Sequence, residues 1–272
     1  MNKIIIENNE LKNYTSNEAN IKDNNIYLIG ANSLTIDYIN TTKANITLNI
    51  QKNAHINIYE FSNSDNLDLK TTYILEEGSN LTINKYYNNK EINEEVTINL
   101  NGEKATIKYN FAEVNTAGAN HHIIINHNHT HTTSNIYTHI LEKNTANINV
   151  TVDSILPKQT PKCYLNQETK IMTLGTGTCQ IKPNMYIDED DVEARHGSVI
   201  GTFSEDTIFY LMSRGVPREK ALELLIKGHI LSPLDFAFDF KQKIIETLNN
   251  QRRWNNEQRR LSHIRQYPSI FR

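Results

Sequence analysis

The sequence predicts a mainly β protein that closes with a small helical unit, and three observations carry that reading. From about residue 25 to about residue 200, apolar residues alternate with polar ones in short runs separated by turn formers. Within that region a small-x-apolar-x-apolar kernel recurs, with runs spaced by roughly a dozen positions. After Gly201 the alternation stops, and apolar residues fall three and four apart.

Residues 1–24 read as an N-terminal segment. Met1-Asn-Lys-Ile-Ile-Ile-Glu has no apolar core long enough for a signal peptide. Residues 25–201 read as the β core. Its kernels are Leu34-Thr-Ile36, Ala44-Asn-Ile46-Thr-Leu48, Ala54-His-Ile56-Asn-Ile58, Leu81-Thr-Ile83, Ala105-Thr-Ile107-Lys-Tyr109 and Ala146-Asn-Ile148-Asn-Val150. Period two gives each run one buried and one wet face, and the β-branched and aromatic content suits strands. Recurrence of one kernel favours a stacked solenoid, in which equivalent side chains of successive coils lie over one another. The small residue would mark the turn, where space is short. A sandwich shows the same alternation and stays open as the alternative at this level.

Residues 202–272 read as a helical C-terminal domain. Ser204 suits an N-cap, and Glu205 and Asp206 place negative charge where the helix dipole favours it. Ile208, Phe209, Leu211 and Met212 form one apolar stripe, and Gly215 supplies a left-handed stop. Pro217 suits the opening of a second helix, with Ala221, Leu222, Leu225 and Ile226 as its stripe. A third helix is expected from about Phe236 through Leu248, with continuation toward Leu261.

Composition bounds the function. Lys and Arg total 28 against 31 Asp and Glu, a net charge of -3, so no global basic field points to nucleic acid. Every arginine lies at Arg195 or later, and the stretch from Arg252 to Arg272 is locally basic, as a solvated tail or an anionic-partner site would be. No run approaches the roughly 18 apolar residues that would cross a bilayer, so no membrane partner is expected. Two cysteines, Cys163 and Cys179, are too few for a disulfide framework, and a reducing cytoplasm is the expected compartment.

Several side chains could carry chemistry. His127, His129 and His131 would share one face if their segment is a strand, a weak candidate for a transition-metal site beside His121, His122 and His139. Three histidines along a strand span about 13 Å, too far to ligate one ion together, and a polar exposed face is the plainer reading. The two cysteines suit small buried apolar positions as well as thiolate ligation. Asp188 to Asp191 suit a solvated turn as well as a hard-cation site. No G-x-x-x-x-G-K-[ST] loop is present, so the chain is not expected to hydrolyse ATP, and no nucleophile elbow or paired carboxylates stand out.

The most specific stretch is Asp190-Asp-Val-Glu-Ala-Arg195-His196-Gly197-Ser-Val-Ile-Gly201, continued by Ser204-Glu-Asp-Thr-Ile-Phe209-Tyr210-Leu-Met-Ser-Arg214-Gly215-Val216. Together with Ala221, Leu224, Leu225 and Gly228 it resembles the SufB/SufD family. Members of that family carry an acidic stretch, a His-Gly or His-Glu pair and a Phe-Tyr-Leu-x-Ser-Arg-Gly helix. His127-x4-Thr132-x-Ser134, Gln159-Thr160 and Lys182-Pro183 fit weaker family positions. Arg195-His196-Gly197 resembles the SufD pattern, and the position of the SufB active cysteine falls on Glu168. The chain is shorter than usual for the family and leaves no room for its N-terminal helical region, so a reduced paralogue is an alternative to the standard subunit.

The resemblance implies a right-handed parallel β-helix core with a small helical C-terminal domain, which decides for the solenoid. It implies a non-catalytic scaffold of SUF-type iron–sulfur cluster assembly, paired through its core with a SufB-like paralogue or with itself. It implies docking of a SufC-like ATPase through the helices, with Phe209, Tyr210, Arg214 and Gly215 as the docking stretch. It implies His196 as the cluster-related residue, with a transient iron–sulfur cluster shared with a partner and no cofactor bound permanently. The competing readings are a β-helix carbohydrate-active enzyme and a degenerate paralogue of the family with a metal-binding or structural role.

Overall fold

A computed structural model describes residues 2–15, 19–22, 25–28, 32–235 and 237–249. Phe236, the continuation toward Leu261 and the basic stretch 252–272 lie outside the described residues. The chain divides into two compact units, residues 1–235 and residues 236–272.

The first unit is a parallel β-solenoid of about six turns followed by two helices. One face is built from β1 (Asn2–Glu7), β5 (Asn32–Ile39), β7 (His55–Ser62), the first half of β9 (Asn80–Leu100), the first half of β10 (Thr106–His127), β11 (Thr133–Glu142), β13 (Cys163–Thr173) and β15 (Val192–Gly201). The other runs through β4 (Asn25–Leu28), β6 (Lys43–Ile50), β8 (Asn66–Leu75), the second halves of β9 and β10, β12 (Asn147–Leu156) and β14 (Cys179–Ile187). β2 (Glu10–Thr15) and β3 (Ala19–Lys22) pair antiparallel with β1 and β4. The expected N-terminal segment thus supplies strands, since β1 pairs in parallel with β5 one coil on.

Register explains why the kernel repeats. Leu34, Ile58, Ile83, Tyr109 and Ile136 stand opposite one another in successive coils, each buried, so one inward position stacks into an apolar column. Each fully buried aliphatic side chain contributes about 1.5–3 kcal/mol relative to exposure. The corner after the second strand of each coil is equally regular. Asn53, Gly78, Lys104, His131 and Lys162 all have positive φ, and the amide of each donates to a carbonyl in the next coil. The residue that follows is small and buried every time: Ala54, Ser79, Ala105, Thr132 and Cys163. That column is the expected small residue at the turn.

After β15 come α1 (Glu205–Ser213) and α2 (Arg218–Leu231). Ser204 is the N-cap of α1, but its side chain makes no capping hydrogen bond; Glu205 and Asp206 hold the first turn. Gly215, at φ 84°, follows Arg214 as the left-handed stop, and Pro217 precedes α2. Ile208, Ala221 and Ile230 are buried, and α2 lies against β10 and β11. In the second unit a helix over 238–249 buries Phe240 and Ile244.

Candidate functional site

The last coil is open. In β13 the odd-numbered residues Cys163, Leu165, Gln167, Thr169 and Ile171 point inward and are buried. Their partners one strand out are Val192, Ala194, His196, Ser198 and Ile200 of β15. These continue the inward columns, yet Ala194 through Ile200 are exposed, because among the described residues no further coil covers them. Ile200 is 47% and Val199 46% exposed, and Tyr186 on β14 is 56% exposed. His196 therefore stands in the middle of an uncovered end strand. Gly197 beside it has nothing within 4 Å of where a Cβ would stand, so the backbone there is open to approach. On the outward face Arg195 pairs with Glu193, its guanidinium 5.9 Å from the centre of the Tyr164 ring.

Beneath this strand the lumen is polar. Gln167 Nε2 donates to Ser154 Oγ at 2.7 Å and to the Asn184 carbonyl at 3.3 Å. Among the described residues Gln167 Oε1 and Thr138 Oγ1 are buried without a hydrogen-bond partner. Glu168 faces outward, next to Gly197 in register, with Lys170 at 2.6 Å and His139 at 3.6 Å. The Lys170 ammonium, outweighing partial burial, holds its carboxyl below the usual range.

α2 joins this region through stacked imidazoles. His139 and His229 lie with ring centres 4.8 Å apart; His139 Nδ1 donates to the His229 carbonyl at 2.9 Å, and His229 Nε2 to the Ile140 carbonyl at 3.0 Å. Burial pushes both imidazoles down, His229 to about 4, so both are neutral near pH 7. Away from that seam the helical pair is exposed and apolar: Phe209 71%, Tyr210 57%, Leu224 45% and Met212 42%. The Arg214 guanidinium lies 5.4 Å from the centre of the Tyr210 ring, and an exposed Arg218–Glu205 pair, bonded at 2.8 and 2.7 Å, ties the helix starts together. Phe209, Tyr210, Arg214 and Gly215 therefore sit together on one hairpin.

The expected shared face for His127, His129 and His131 does not form. β10 ends at His127, whose ring points into the lumen and bonds Thr132 at 2.8 Å and Ser134 at 2.9 Å. Burial pushes that imidazole down to about 3. His129 lies in the exposed turn, its Nδ1 accepting from the Thr130 amide at 2.9 Å, and His131 is the left-handed corner residue. Chain reversal separates the three, and among the described residues no group of three His, Cys, Asp or Glu side chains is arranged to hold a metal ion. Both cysteines are free thiols. Cys163 is buried against Thr132 at 3.1 Å, and burial together with Glu142 pushes the Cys179 thiol up.

One constellation escaped the sequence reading. Glu60, Lys85, Glu94, Glu113 and His121 are sealed in the lumen of the middle coils. Lys85 Nζ lies 2.6 Å from Glu94 and 3.4 Å from Glu60; His121 bonds Glu94 at 2.9 Å and Glu113 at 2.6 Å. Tyr73 and Tyr87 donate to Glu60 at 2.5 and 2.9 Å. Burial would push His121 down, but Glu113 and then Glu94 override it and raise it to about 9. Burial would likewise push Glu94 up, but Lys85 and then His121 hold it at about 2. The signal was parity: charged residues stand at inward-facing positions of otherwise apolar strands.

Comparison with known proteins gives one consistent result. The family described as SUF system FeS cluster assembly, SufBD core domain, matches residues 22–229. The iron–sulfur cluster assembly protein SufD of Bacillus subtilis is 37% identical over 70 residues, 25% of this chain and 16% of that protein. An iron–sulfur cluster assembly SufBD family protein of Pyrococcus horikoshii is 42% identical over 62 residues, 21% of this chain and 14% of that protein. The matched stretches thus span less than a fifth of either relative.

Proposed function

The chain belongs to the SufBD family, and from that premise we propose that it is a non-catalytic scaffold subunit of a SUF-type iron–sulfur cluster assembly complex. In this reading the open solenoid end pairs with a SufB-like subunit or a second copy of the chain. The exposed hairpin docks a SufC-like ATPase, and His196 contributes to a transient cluster held between the partners. The cluster is cargo rather than a resident group.

The observation that carries the reading is the uncovered last coil, where columns that are buried everywhere inside the solenoid surface as His196, Ser198 and Ile200. An end strand with unpaired backbone groups and half-exposed aliphatic side chains is a template for another chain. An imidazole placed there suits iron ligation. The exposed aromatic residues of α1 beside Arg214 have the composition of a protein interface core. Two free thiols fit a reducing cytoplasm. No helix among the described residues is long and apolar enough to cross a membrane.

Co-expression with a SufC-like ATPase and a SufB-like paralogue is the test. Tagged chain should retain both through purification and hydrolyse no nucleotide alone. A chain that elutes by itself with both candidates present sinks the proposal.

A further inference from the structure

We propose that Gln167 is the positioning residue for His196, its side-chain carbonyl accepting the imidazole N–H once a partner covers the open end. The inference rests on the reading of His196 given above. Gln167 is 2% exposed, and its amide is oriented unambiguously, because the Asn184 carbonyl can only accept and therefore fixes Nε2 on that side. Ser154 takes the second contact, at 2.7 Å. Oε1 is thereby left, among the described residues, as a buried acceptor without a donor, a condition that costs free energy unless something fills it.

The register names the filler. In its column Gln167 has Ile136 on one side and His196 on the other. Ile136 has no polar side-chain atom; His196 carries a ring N–H on the adjacent strand, about 4.8 Å away in the sheet. In the isolated chain His196 is exposed, so its ring N–H is open to solvent. A partner that covers β15 removes solvent from the ring, and Gln167 Oε1, in register on the adjacent strand and unpaired among the described residues, is then placed to accept its N–H. Once the bond forms, the tautomer is fixed and the second nitrogen is presented unprotonated to the shared surface, as a ligating imidazole requires.

The experiment uses full-length chain with ¹⁵N-labelled histidine, purified with its ATPase and paralogue, and reads the His196 tautomer by NMR at pH 8. Gln167→Met removes acceptor and donors at similar volume, whereas Gln167→Glu keeps an acceptor and loses the same donors, so their difference isolates the acceptor. In the wild-type complex one tautomer should dominate; Gln167→Met should shift the ratio about fivefold toward the mixture of a free imidazole, and Gln167→Glu should restore it. Equal ratios in wild type and folded Gln167→Met overturn the proposal. If Gln167→Met fails to fold, the wild-type complex decides: a solvent-like mixture there overturns it, and a single tautomer supports it. The reading of His196 fails separately, through unchanged cluster yield in a His196→Ala complex, which leaves the tautomer result standing.

Discussion

Lys85 is fully buried in the lumen, and three carboxylates, Glu60, Glu94 and Glu113, surround the Lys85–His121 pair. Removing one member of such a network leaves the rest uncompensated, so Lys85→Met should cost about 3–5 kcal/mol in urea unfolding. Replacing Lys85, Glu60 and Glu94 together by apolar residues of similar volume should cost far less, because no orphan charge remains. The imidazoles set a pH profile. His121 is raised to about 9, above its unfolded value near 6.5, so its stabilisation is complete below pH 6.5 and is lost as pH rises through 9. His127 and His229 are lowered to about 3 and about 4; the unfolded chain takes up protons there that the folded chain refuses, so stability falls as pH drops below 6.5. The two effects meet at a maximum near pH 6.5, with flanks of about 1.4 kcal/mol per pH unit for each proton. A urea midpoint that keeps rising from pH 6.5 to 9 would show that His121 is not held as a cation.

At the scale of elements, Gly215 terminates α1 at φ 84°, where a side chain meets left-handed strain but no neighbour within 4 Å. Gly215→Val should therefore cost about 1–2 kcal/mol in stability from backbone geometry alone. By contrast, Phe209→Ser and Tyr210→Ser remove exposed side chains, so the melting temperature should hold while ATPase affinity falls by about 2 kcal/mol, roughly thirtyfold, in a binding titration. Affinity that survives both changes would remove α1 from the docking surface. The kernels and the Gly215 stop were legible in the sequence because each reports a local requirement, period two or a left-handed turn. The histidine run was misleading because its alternation crosses the corner at 128–131, where His131 turns the chain and parity no longer means a shared face. Lys85 and His121 were illegible for a different reason: a charged residue at an inward position reads as a strand fault until its partners, brought in from other coils, are known.

For the whole molecule, the same stacking that stabilises each inner coil makes the last one incomplete. Every column needs a neighbour above and below, and a solenoid end without a cap leaves one side of its apolar column in water. Ile171 is buried because β15 covers it; Ile200, next in that column, is 47% exposed, since among the described residues no further strand pairs with β15. A lysine at that position still reaches water in the free chain, so Ile200→Lys should change monomer stability by no more than about 0.5 kcal/mol. In the assembled complex the same ammonium would be buried without a counter-charge, a penalty that falls entirely on association. The expected outcome is a loss of at least about 2 kcal/mol, roughly thirtyfold, in affinity for the paralogue or the second copy, read by sedimentation equilibrium. Unchanged association with an unchanged monomer would place the pairing surface elsewhere on the solenoid, and His196 would then lie outside any shared site.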